Sequence, residues 1–119
     1  MKILMSLGLA VVLSTAPAFA GSGMFVQLDK AHKLAFGFEC KGATRADQDA
    51  AFAALQKGKM PAMVAELGKL SAEGQKLRAK SPDQATIAEF NARFTKAEAA
   101  LRGEAKAKGC KLGPAFPLE

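Results

Sequence analysis

Tryptophan and tyrosine are absent from this chain of 119 residues, and histidine occurs once. Without Trp or Tyr, the side chains that most often anchor tight protein interfaces are missing. A lone histidine, His32, leaves one base for a Ser-His-Asp arrangement, and no nucleophile-elbow spacing surrounds Ser22, Ser71 or Ser81. Enzymatic activity is therefore not expected. β-Branched residues are scarce after residue 20, which lowers the expectation of strands. No run of five Lys/Arg occurs, so the basic balance lacks the form of a nucleic-acid-binding arm.

What is present begins with a leader. Lys2 provides a positive start, residues 3–13 an apolar run, and Ala18, Phe19 and Ala20 an A-x-A cleavage site before Gly21. This is the layout of a secretory signal peptide, and the run is too short to span a bilayer. The expected product is one domain, residues 21–119, in the periplasm or secreted, after cleavage near Ala20 and Gly21. The full chain carries a net charge of +6, and Lys2 leaves with the leader, so the mature chain carries +5. Export argues against nucleic acid. It favours a protein partner or an anionic envelope component, with contact at a membrane surface a further option. The plainer reading of the lysines is as solvated helix faces.

Two cysteines, Cys40 and Cys110, remain. An even count in an oxidising compartment reads as a disulfide. Closing a loop of this length stabilises a fold by about 4 kcal/mol in the chain-entropy model. Their separation excludes a C-x-x-C motif.

Ala, Lys, Glu, Leu and Gln predict helix nearly throughout, an all-α bundle of three long arms. The first arm spans residues 24–40, where Met24, Leu28, Ala31, Ala35 and Phe38 recur at helical spacing. Phe36, Phe38 and Cys40 alternate, so this arm's end also fits an extended strand. Thr44 with Asp47 caps the second arm, which breaks or kinks between Gly58 and Pro61. Met63, Leu67, Leu70, Gly74 and Leu77 mark its packing seam. Ser81, Pro82 and Gln84 form a capping box for the third arm, whose inner face is Ile87, Phe90, Phe94, Ala97 and Leu101. Residues 111–119 read as an extended tail, with Leu118 and Glu119 open to reading as a cloning remnant. A Cys40–Cys110 bond would then set two helix C-termini side by side, with first and last helices parallel.

In length and helical organisation the chain superficially resembles the soluble four-helix b-type cytochromes. Those ligate iron with a Met near the start and a His near the end, and no His follows His32, so no haem or other cofactor is expected. The alternative function is copper handling. Met60 and Met63 form M-x-x-M, and Met24 and His32 are the other soft or imidazole donors. Methionines at helical spacing are more commonly core filler. Phe25, Phe36, Phe38 and Phe52 either fill the core or line a groove for a partner.

Overall fold

The first expected helix is a β-hairpin. The computed structural model describes residues 22–118; the leader, its cleavage site and Glu119 lie outside them. Strand β1 spans Ser22–Asp29 and β2 spans Leu34–Lys41. Three helices follow: α1 Arg45–Lys57, α2 Met60–Ala79 and α3 Gln84–Ala107. The expected extended tail is a third strand, β3, Cys110–Pro117. The fold is α+β, which corrects the all-α expectation. The three strands form an antiparallel sheet in the order β1-β2-β3.

Register explains why residues 24–40 mislead. Phe25 pairs with Phe38, Gln27 with Phe36 and Gly23 with Cys40, so these residues share the inner face. Met24, Val26 and Leu28 stand on the outer face opposite Glu39, Gly37 and Ala35. Both faces carry apolar residues, so no clean polar alternation marks the strands, and a helical spacing can be picked from the mixture. The turn between them is closed by the side chains of Asp29 and His32, 3.0 Å apart at Oδ2 and Nδ1. Lys33 adopts φ 59° there, a left-handed conformation uncommon outside glycine.

Cys40 and Cys110 are bonded, and they sit directly opposite in the β2–β3 register with Cα atoms 4.0 Å apart. The bridge is the expected one; its setting is not. It joins two antiparallel strands rather than two helix ends, so no parallel pair of helices follows from it. Gly109 makes the connection possible. It follows α3 at φ +81°, a turn that glycine adopts without a Cβ clash, and it feeds the chain straight into β3. Further along, β3 carries one extra residue where Phe36 pairs with Ala115 but Phe38 pairs with Leu112. This bulge sets Gly113 and Pro114 against Gly37.

All three helices pack on the inner face. The core joins Phe36, Phe38 and Cys40 with Phe52 and Leu55 of α1, Met60, Val64 and Leu67 of α2, Leu101 and Ala105 of α3, and Leu112 of β3. Phe25 is partly buried and stacks on Phe52 with ring centroids 4.7 Å apart, under the Arg45 guanidinium. The four phenylalanines of the first half thus belong to the core or its edge. Residues 45–80 are two helices, α1 and α2, separated at Gly58 and Lys59. Thr44 caps α1, its hydroxyl accepting the Asp47 amide at 3.1 Å.

At 20 and 24 residues, α2 and α3 are about 30 and 36 Å long at 1.5 Å per residue, longer than the eight-residue strands they cover. Their far halves form a hairpin projecting beyond the sheet, and the molecule measures 54 × 32 × 23 Å. In that projection the Phe90 ring lies against Gly74, so a side chain rather than a backbone uses the gap expected there. Glu73 and Arg93 pair across it. The cap of α3 also differs from expectation. Asp83, not Ser81, accepts the Thr86 amide, at 2.8 Å, and Ser81 takes φ 50° in the turn.

Two measurements test this architecture. Replacing both cysteines with alanine lowers unfolding free energy by about 4 kcal/mol in denaturant titration, because the 70-residue loop is freed. The Asp83 carboxyl is held below its usual range by hydrogen bonds from the Thr86 side chain and amide. A depressed carboxyl stabilises the fold above its unfolded value near ~3.9, and that contribution disappears as pH falls through the lower folded value. Asp83→Ala therefore lowers Tm at pH 5–7, and its difference from the native chain shrinks below about pH 4.

Candidate functional site

With every described helix on one side of the sheet, the other side is covered by none of the described elements. Met24 (64% exposed), Val26 (55%) and Leu28 (45%) project from β1, and Phe116 (51%) projects from β3. Alternation along the strand forces this, since Phe25 and Gln27 turn inward. Between the two edges lie Ala35 and Gly37 of β2, both buried although no helix covers them. Their bulky neighbours hide them: Ala35 stands between Leu28 and Phe116 in one cross-strand row. The Phe116 ring reaches Gly37 as well: a Cβ built there would lie 3.9 Å from it, in ordinary contact. The result is a shallow apolar surface with few polar groups.

Charges sit at its two ends. At one end Glu39 faces Lys111 in register, and Lys41, two residues further along β2, shares the outer side. At the other end the β1–β2 turn presents Lys30 and Lys33, both exposed. Four lysines and one glutamate border the apolar rows. A contiguous apolar surface rimmed by charge marks a contact surface more often than a solvated one. The sequence did not expose it, because reading a helix through residues 24–40 assigned Met24 and Leu28 to a buried stripe. The one signal that pointed this way was the alternation of Phe36, Phe38 and Cys40, which fits a strand.

The copper-type alternative does not gain from the structure. Met60 is fully buried in the core and Met63 is packed against it, whereas Met24 projects from the opposite face of the sheet. His32 is half-buried in the hairpin turn, its Nδ1 taken by Asp29. These four residues are not brought together. Among the described residues no group of three His, Cys, Asp or Glu could hold a metal ion. Ser81 lies at the tip of the helical hairpin and Ser71 midway along α2.

No family model, curated protein or solved structure matches this chain.

The face is held in place from beneath by the contact of the hairpin turn with α2. Asp29 is buried against Gly68, where a Cβ would collide with its carboxylate and crowd His32 Nδ1 at 3.0 Å. Gly68 therefore has a packing reason inside a helix, while Gly103 of α3 has open space around the same position. The two glycines should respond oppositely to one substitution. Gly103→Ala raises stability by about 0.5–1 kcal/mol through helix propensity. Gly68→Ala lowers it by about 1–3 kcal/mol through overpacking, and chemical unfolding of the two variants reads both signs.

Proposed function

We propose that this protein is a non-enzymatic docking module that lies on an anionic membrane surface of the cell envelope through the outer face of its sheet. The observation that carries the reading is the set of four exposed apolar side chains, Met24, Val26, Leu28 and Phe116, bordered by lysines and free of any described helix. The long axis of the molecule belongs to the helical hairpin. No described element stands over the outer face to obstruct a flat partner.

The composition of the face supports lipid over protein as that partner. A specific protein interface carries about one hydrogen bond per 100–200 Å² and is anchored by aromatic or arginine hot spots. The apolar rows here offer Met, Val, Leu, Ala, Gly and one Phe, with Glu39 and Lys111 as the polar groups at their end. A lipid surface needs only apolar contact and charge attraction. Immersing four half-exposed side chains contributes on the order of 1 kcal/mol each, and each lysine near an acidic leaflet about 1 kcal/mol. Neither set alone is large against the freedom lost on docking. No described helix is long and apolar enough to cross a membrane, so attachment would be peripheral. The leader expected at residues 1–20 adds the route to the envelope.

Flotation with phosphatidylglycerol vesicles tests the reading. The oxidised mature chain should float with these vesicles at low salt, be released as ionic strength approaches 0.5 M or so, and ignore phosphatidylcholine. Val26→Glu with Phe116→Glu should abolish flotation with Tm preserved. A variant that floats as well as the native chain removes the outer face from the mechanism. Capture by a soluble acidic protein at the same face, with no vesicle binding, replaces lipid with protein.

A further inference from the structure

One end of the outer face opens into a cleft between α3 and the start of β3. Its volume is about 340 Å³, and Lys41, Arg102, Lys106 and Lys111 line it around the backbone of residues 109–112. No carboxylate is among its lining residues. We infer that this cleft is a subsite for a phosphoryl anion, a phosphate mono- or diester.

The argument begins with charge. Four cations from β2, α3 and β3 line one small space, and an anion placed there would be attracted by all of them. The nearest acids offset part of this charge: Glu98 pairs with Arg102 at 3.4 Å on the surface of α3, and Glu39 stands opposite Lys111. Lys41 and Lys106 have no ion-pair partner among the described residues. The spent C-terminus of α3 explains at most Lys106, which suits a helix's negative end; it does not explain Lys41 and Lys111, which arrive from the sheet.

Geometry decides which anion fits. Lysines act on phosphate as point charges, and Arg102 adds a planar fork that matches phosphate oxygens as it matches a carboxylate. The volume exceeds that of a bare tetrahedral ion, so an esterified phosphate with its first carbons fits. The Cys40–Cys110 bridge joins the strands that carry Lys41 and Lys111, and so fixes the backbone spacing from which two of the four cations project. Both lysines also stand on the outer face. A phosphate in the cleft would therefore have its apolar substituent free to run along the outer face toward the apolar rows beyond Glu39, which is the arrangement of a membrane phospholipid. This last step rests on the docking reading; the subsite itself does not.

The test separates the two. Inorganic phosphate is titrated into the oxidised mature chain, followed by amide NMR because the chain lacks Trp and Tyr for fluorescence. Saturable shifts at Lys41 and residues 109–112, lost in Lys41→Ala/Lys106→Ala, are the expected result. With phosphatidylglycerol vesicles, that double variant should bind at least tenfold more weakly at unchanged Tm. Lys76→Ala/Lys80→Ala, which removes the same charge from the distal hairpin, should lose less than threefold. Equal losses in both double variants overturn the subsite, since attraction would then be diffuse. Phosphate shifts without vesicle binding uphold the subsite and defeat the docking face. Vesicle binding indifferent to Lys41 and Lys106, with no phosphate shifts, defeats the subsite and leaves the docking face standing.

Discussion

The tie between Cys40 and Cys110 is the constraint on which the rest of this molecule depends. It fastens the middle strand to a strand that arrives 70 residues later, after all three helices. A two-stranded hairpin is marginal alone in water, and three strands with a covered face are needed for independent stability. The bridge supplies the third strand's partner at a fixed register. It also brings the helical segment back to the end of the sheet that it left. Burial against Phe36, Phe38 and Leu112 then keeps α1, α2 and α3 on the inner side, and the outer face is left without a described helix.

Helices were the legible part of the chain, and the reasons are local. Thr44 and Asp47 announce α1, Gly58 and Pro61 bracket the break before α2, and Gly109 marks the end of α3. Pairing of the cysteines was also legible, since the chain holds two and the expected compartment is oxidising. The strands were not, for two physical reasons. Of the residues in β1, β2 and β3, only Val26 is β-branched, so propensity pointed away from strand. The hairpin is also apolar on both faces, which erases the period-two contrast that identifies a half-buried strand. Ser81 misled more mildly: Asp83 wins the cap because Ser81 is needed in a left-handed turn.

The candidate site was illegible for the same reason that it is a candidate. A strand that faced only water on its outer side would carry polar residues at Met24, Val26 and Leu28, and the alternation would have been plain. Apolar residues at those three positions hid the strand and created the exposed surface together. Local pattern and fold disagree here more than elsewhere in the chain, and such disagreements concentrate where a surface has work beyond folding. The lysines, by contrast, were counted correctly but assigned to helix faces; four of them border the sheet instead.

An exposed apolar face beside an edge strand is an invitation to self-association, and the two edges of this sheet are treated differently. On β3 the bulge and the two prolines, Pro114 and Pro117, remove donors and bend the strand away from a flat partner. Strand β1 has no proline and no bulge. What opposes association of copies there is charge: the full chain carries a net +6, and Lys30, Lys33, Lys41 and Lys111 border the face that would have to be shared. Stacking two such faces would bring eight ammonium groups together around an apolar seam. The same ammonium groups draw the face toward an acidic surface. On the proposed docking, one arrangement of lysines opposes stacking of copies and favours an acidic surface, so that replacing them with neutral residues would weaken docking and promote aggregation together.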